Sequence, residues 1–228
     1  MSAIVFAGPS LWGAAVGDVA GIEFRPPAAC GDVLRAAREG PRAIGLIDGV
    51  FETGPSVWHK EILDALACGV AVAGAASLGA IRAAELHGFG MTGVGQVFAR
   101  YRDGRLDRDD AVMVSHAPAE LRYRPLTVAL VDVDAVTAHW APADRAAMAG
   151  IASRINFRDR TWEVLDAAFR RRTGRAMPPA DRDASVKRDD AMMLVGLLAG
   201  GIAAPSEPSL PPPETPWLRT LKHAADGG

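Results

Sequence analysis

Ser77 is the side chain in this sequence with the strongest case for a chemical role. It follows a short apolar run, VAVAG, and lies in a turn of small residues, AASLGA, just before a helical pattern. A serine at a strand-to-helix turn is exposed, and the free amides of the next helix can stabilise an oxyanion beside it. The pattern predicts a nucleophile. The simpler interpretation is that this serine only caps the helix.

A nucleophilic serine needs a base, and Lys60 is the candidate. It lies near the start of a predicted helix, whose partial positive charge disfavours an ammonium group, and partial burial would act in the same direction. A neutral lysine amine beside a serine hydroxyl is the Ser–Lys variant of a catalytic triad. The neighbouring His59 is an alternative base. A solvated surface position is the simpler interpretation of Lys60.

The elements that must position these side chains lie in residues 43–84. The run AIGLID ends as a strand at Asp48, a helix opens at Pro55, and VAVAG forms the next strand. Such a βαβ unit is almost always right-handed, with parallel strands. Asp48, Lys60 and Ser77 therefore belong to one edge of the sheet, where open α/β folds place their sites. We expect Asp48 to orient the lysine or to contact substrate.

Strand and helix patterns also alternate before this unit, which predicts an α/β fold with a parallel-sheet βαβ core. The run AVMVSHA predicts a further strand, and YRPLTVALVDVDAVTAHW predicts one more. HGFGMTGVG is dense in glycine and predicts no regular structure. We expect an α/β core over 1–140, a helical region over 141–204 and a Pro-rich tail over 205–228.

Composition narrows the function classes. The formal net charge of −2 gives no electrostatic case for nucleic acid or an anionic membrane. Cys30 and Cys68 form no framework, the histidines are scattered, and no cofactor motif is present, so we expect no metal and no cofactor. No apolar run approaches a membrane span, and no signal peptide opens the chain. A cytoplasmic protein is expected.

Several unusual stretches carry a family resemblance: GLIDGVFE, PSVWHKEIL, GAASLGAIRAAEL, HGFGMTGVG and YRDGRLDRDD. Over about Ile44 to Pro125 the sequence resembles the TfuA-like proteins. The resemblance implies a partner of a YcaO enzyme, which activates a peptide backbone amide with ATP so that sulfur replaces its oxygen. It implies hydrolysis of the carboxy-terminal thiocarboxylate of a ThiS-like sulfur carrier, with release of sulfide. It also implies help in holding the peptide substrate on YcaO, and an unusual fold.

The resemblance also implies a Ser–Lys pair, which falls here on Ser77 and Lys60. Asp48, His59 and Arg82 are then expected to bind substrate, with Arg82 facing the carboxylate terminus of the carrier. Two alternatives stay open. In one, the protein is a non-catalytic adaptor that gathers YcaO, carrier and peptide. In the other, it is a general esterase or peptidase that acts without a carrier.

Overall fold

A single parallel sheet forms the centre of the protein. The structure is a computed structural model that describes residues 2–203 and 210–226. Its five strands lie in the order β2-β1-β3-β4-β5, and every neighbouring pair is parallel. The expected α/β fold with a parallel core is confirmed. The strands are β1 (Ala3–Phe6), β2 (Ile22–Arg25), β3 (Ala43–Leu46), β4 (Ala71–Ala75) and β5 (Thr92–Val94).

Helices cover both faces of the sheet, and more of them follow it, as the helical pattern of the second half predicts. Within the described ranges the α-helices are α1 (Asp32–Arg38), α2 (His59–Ala67), α3 (Leu78–Leu86), α4 (Gly95–Arg102), α5 (Leu130–Val136), α6 (Pro142–Ala152), α7 (Trp162–Thr173), α8 (Val186–Gly200) and α9 (Pro216–Asp226). Short 3-10 helices occupy Pro9–Leu11, His87–Phe89, Asp109–Ala111 and Ala119–Leu121.

The core has a layer on each side of the sheet because successive strand residues point to opposite faces. In β1, Ile4 packs with residues of α1, α2 and α3, whereas Val5 packs with residues of α8. A Cβ at Gly45 of β3 would collide with Leu194 and Leu198. Helix α8 therefore lies directly on the central strands, although it belongs to the helical second half.

Helices α6 and α7 form a separate apolar cluster around Leu165 and Phe169, both fully buried. The expected domain boundaries stay a prediction, and they would divide α8 from the sheet on which it packs. Part of the expected Pro-rich tail, residues 204–209 and 227–228, lies outside the described residues. The rest of that tail includes α9, whose Leu218 is fully buried and whose Lys222 forms an ion pair with Asp64 at 2.6 Å.

Two strand predictions are wrong. AVMVSHA is irregular apart from the end of a 3-10 helix and an isolated bridge from His116 to Pro125. Its residues Ala111–Met113 are buried in succession, so the run fills the core instead of alternating across a sheet. In the following segment, the expected strand is helix α5, in which Val133 and Val136 share the buried face at helical spacing.

The glycine-dense stretch and the start of α2 also differ from the predictions. HGFGMTGVG contains β5, where Gly93 pairs with β4 and leaves room for the ring of Phe98. Helix α2 begins at His59 and not at Pro55. The Glu61 carboxylate accepts the Trp58 N–H at 3.0 Å, which fixes the first turn at that point.

Candidate functional site

The turn between β4 and α3 holds Ser77 in an unusual backbone geometry. The Ser77 N–H donates to the Ala75 carbonyl at 2.7 Å, and Ala76 between them has φ of 65°. This three-residue turn with a left-handed central residue is rare, and a non-glycine residue held there costs about 1–3 kcal/mol. Strain of this kind is concentrated at functional sites, which is consistent with a chemical role for the next residue.

The hydroxyl of Ser77 makes no hydrogen bond with any residue of the described ranges, including the amides of α3. The helix-cap interpretation therefore fails. Ser77 instead lines a cavity of about 510 Å³, here called the serine cavity. Its other walls include Asp48, residues 49–53, residues 112–116 and Lys187. The predicted nucleophile thus faces a space large enough for an extended peptide terminus.

Two backbone N–H groups near Ser77, those of Gly49 and Leu78, have no acceptor among the described residues. The Asp48 carbonyl accepts the Ala28 N–H, and in a planar trans peptide the Gly49 N–H points the opposite way. The Ile47 carbonyl lies on that same side, because the Asp48 N–H of its peptide donates in the opposite direction, to Phe6 of β1. This carbonyl accepts the Gly79 N–H, so the side faces the start of α3. The Gly49 amide is therefore directed to the start of α3, where the Leu78 amide lies.

Lys187, the second residue of α8, brings an amine to the serine cavity. It is 3% exposed, and its Nζ donates to the Val112 carbonyl at 2.6 Å. An ammonium has three N–H donors, yet the described chain offers this one acceptor. Burial lowers the pKa of the Lys187 amine, and the carboxylates of Asp48 and Asp132 oppose this effect only in part. The environment favours the free base.

Lys60 lies elsewhere. Its half-buried side chain donates from Nζ to the Pro213 carbonyl at 3.1 Å and to the Thr215 hydroxyl at 3.4 Å. It is absent from the walls of the serine cavity. The expected partnership of Lys60 with Ser77 stays a prediction, and a different lysine shares the cavity with the serine.

A comparison with models of protein families identifies the family to which this chain belongs. The model of the TfuA-like proteins matches residues 48–161, half of the chain. The chain belongs to the TfuA-like family. Ser77 and the walls at residues 48–53 and 112–116 fall inside the match, whereas Lys187 falls outside it. The family is associated with thioamidation beside YcaO enzymes. A search of curated proteins found no match to this TfuA-like chain.

Asp48 is a structural clamp in this TfuA-like protein as well as a wall of the cavity. Its buried carboxylate accepts the Gly8 N–H at 2.8 Å, the Ser10 N–H at 3.0 Å and the Ser10 hydroxyl at 2.7 Å. These bonds fix the turn that follows β1 against the end of β3. Its expected contact with substrate stays a prediction.

His59 and Arg82 share a partner, Glu85, and neither lines the serine cavity. Both contact the Glu85 carboxylate at 2.8 Å, and Arg82 also donates to the Val57 carbonyl at 2.9 Å. These bonds tie the start of α2 to α3. Burial raises the pKa of Glu85, but the hydrogen bonds with His59 and Arg82 outweigh it, so the net shift of that pKa is downward. Their expected role in substrate binding stays a prediction, now with a structural role beside it.

Lys187 is the site residue that sequence reasoning missed, although a signal was present. The TfuA-like chain has only three lysines, Lys60, Lys187 and Lys222, among its 25 basic residues. Arginine is effectively always charged, so only a lysine can supply a free amine. The scarcity of lysine, which leaves three candidates for a free amine, is the signal that points to Lys187.

Other kinds of site find no support in the described ranges. Residues 2–203 and 210–226 contain no group of three or more His, Cys, Asp and Glu side chains placed to hold a metal ion. No helix within the same ranges has the length and apolar character needed to cross a membrane.

Proposed function

We propose that this protein hydrolyses the carboxy-terminal thiocarboxylate of a ThiS-like sulfur carrier and supplies the sulfide to a YcaO enzyme. Ser77 is the nucleophile. Lys187, and not Lys60, is its base. The observation that carries the proposal is the serine cavity, which an unpartnered serine hydroxyl and a buried lysine with a lowered pKa line together. Family membership supports the thioamidation setting.

The chemical steps follow from these two side chains. The free amine of Lys187 takes the hydroxyl proton as the Ser77 oxygen attacks the thiocarboxylate carbon, a role worth about 10²–10⁴-fold in rate. The carbon–sulfur bond breaks, and the sulfur leaves with the proton from the Lys187 ammonium. Water, deprotonated by the same amine, then attacks the ester and restores the serine. The balance is one thiocarboxylate and one water converted to one carboxylate, one hydrosulfide and one proton, which the ester hydrolysis step releases.

The amides of Gly49 and Leu78 are the proposed oxyanion donors. Both N–H groups lack an acceptor in the described chain; the Leu78 amide belongs to the first residue of α3, and the Gly49 amide is directed to the start of that helix. Donors that are already in place stabilise the tetrahedral intermediate without reorganisation, and one such donor is worth about 10²–10³-fold in rate. The arrangement resembles an α/β-hydrolase site, where one donor follows the nucleophile and the other comes from a neighbouring strand–helix loop.

The proposed partners are the sulfur carrier, the YcaO enzyme and its peptide substrate. The carrier would insert its extended terminus into the serine cavity, while other surfaces assist the binding of the peptide to YcaO. Neither nucleic acid nor a membrane has a part in this scheme.

The experiment measures sulfide release from a thiocarboxylated ThiS-like carrier by the purified protein and by Ser77→Ala. We expect release by the native protein, loss in Ser77→Ala, and equal carrier binding by both. A carrier-derived acyl group on Ser77, detected by mass spectrometry after acid quench, would support the covalent route. Equal release by both proteins, or no release by either while both bind the carrier, would contradict the hydrolase and favour the adaptor.

A further inference from the structure

A second cavity, of about 660 Å³, adjoins the serine cavity, and it is here called the arginine cavity. It is lined in part by Arg124, Arg182 and Arg188, none of which forms an ion pair with a carboxylate of the described chain. Arg182 lies over the Trp162 ring at 5.9 Å, and Arg188 donates to the Asp183 carbonyl at 2.6 Å. Carboxylates are also present in the lining, so the cavity is polar and not solely cationic.

The two cavities share three lining residues, Pro9, Val114 and Lys187. The backbone N–H of Lys187 donates to Asp132 at 3.3 Å, and Asp132 lines only the arginine cavity. Its Nζ donates to the carbonyl of Val112, which lines only the serine cavity. Lys187 therefore lies at the boundary between the two cavities, with its backbone beside the arginine cavity and its Nζ beside the serine cavity.

We propose that the arginine cavity is the passage by which water enters and hydrosulfide leaves while the terminus of the carrier fills the serine cavity. The inference rests on the proposed function. A macromolecular substrate closes the opening through which it enters, so a small leaving group needs a second route. In the proposed reaction the sulfur receives its proton at the Lys187 Nζ, which lies at the end of a side chain common to both cavities.

The residues that line the arginine cavity are suited to the passage of water and hydrosulfide. Unpaired guanidinium groups attract a hydrosulfide anion, and the hydroxyl groups of Ser10 and Thr127 in the same lining can hydrogen-bond to water. Glu163 and Asp183 in that lining would disfavour a tightly held anion, so passage fits the cavity better than storage. A reaction that consumes sulfide would collect it at the mouth of this cavity, away from the carrier.

The test times sulfide release against carrier dissociation in a single turnover. The protein is mixed with one equivalent of fluorescently labelled thiocarboxylated carrier. A fluorogenic probe reports sulfide, and anisotropy reports dissociation of the carrier. Ala184→Trp places a large side chain at an exposed position that lines only the arginine cavity. Ala146→Trp, at an exposed position of α6 outside both cavities, is the matched control.

We expect sulfide to appear before the carrier dissociates in the native protein and in Ala146→Trp. In Ala184→Trp the early sulfide phase should be lost, and sulfide should appear together with carrier dissociation. An unchanged early phase in Ala184→Trp would overturn the proposal, as would simultaneous release in the native protein. No sulfide from the native protein at any time would instead show that the proposed function itself has failed, and the passage with it.

Discussion

Gly79→Ala tests whether the contact between α3 and the sheet positions Ser77. Gly79 is the second residue of α3, and its N–H donates to the Ile47 carbonyl at 3.2 Å. A Cβ at this position would come well inside 3.0 Å of the Leu46 carbonyl oxygen, a backbone atom of β3 that cannot rotate away. The alanine must therefore push the first turn of α3, together with Ser77, off the sheet.

The expected change in the free energy of unfolding follows from two destabilising effects and one stabilising effect. Forcing a methyl group into a packed contact costs about 1–3 kcal/mol. Loss of the bond from Gly79 to Ile47 costs about 1 kcal/mol, and the better helix propensity of alanine returns about 1 kcal/mol. We expect a decrease of about 1–3 kcal/mol in the free energy of unfolding. The effect on activity should be larger in proportion, because a displacement near 1 Å at a catalytic group costs about 10²-fold in rate.

The assay combines urea unfolding with sulfide release from the carrier. Gly88→Ala is the matched control, since a Cβ there meets no heavy atom within 4 Å, and its stability should change by less than about 0.5 kcal/mol. If Gly79→Ala matched Gly88→Ala in both stability and sulfide release, α3 would not hold Ser77 in the way described.

Three further outcomes are expected. Gly95→Ala should lower the free energy of unfolding by about 3–5 kcal/mol in thermal denaturation, since φ is 91° there and a Cβ would collide with the Asp190 carboxylate that caps α4. Asp48→Asn removes a charge that raises the pKa of Lys187, so the pKa falls further. Because the proposed mechanism uses the free base of Lys187, the rising limb of the pH–rate profile should move to lower pH; a shift to higher pH would contradict this. Leu218→Ala should weaken the docking of α9 by about 2–5 kcal/mol, seen as faster amide exchange in α9, with sulfide release unchanged.

The sequence predicts the parts of the fold that depend on local pattern. Apolar runs with glycine stops define β3, α2 and β4, and the turn of small residues locates Ser77 at the correct edge of the sheet. Local pattern does not predict strand β5. Its pairing with β4 and its contact with Phe98 depend on tertiary structure and not on the β preference of its residues.

Local sequence pattern could not identify the proposed base, Lys187, for a similar reason. Lys60 is close to Ser77 in sequence and lies near the same edge, but the docking of the segment before α9 engages its amine. Lys187 reaches the serine cavity only because α8 packs across the sheet from the helical half of the chain. The choice between two lysines thus depends on long-range packing, which no short motif encodes.

Lys187→Met and Lys60→Met, compared side by side, give the most direct test of the proposed site. Methionine preserves the length of the side chain, and an apolar replacement of a buried charged group is often tolerated. Sulfide release from the thiocarboxylated carrier is measured for both variants after folding and carrier binding have been checked. We predict that Lys187→Met loses about 10²–10⁴-fold in rate while Lys60→Met stays close to the native protein. Full activity in Lys187→Met with loss in Lys60→Met would contradict the assignment.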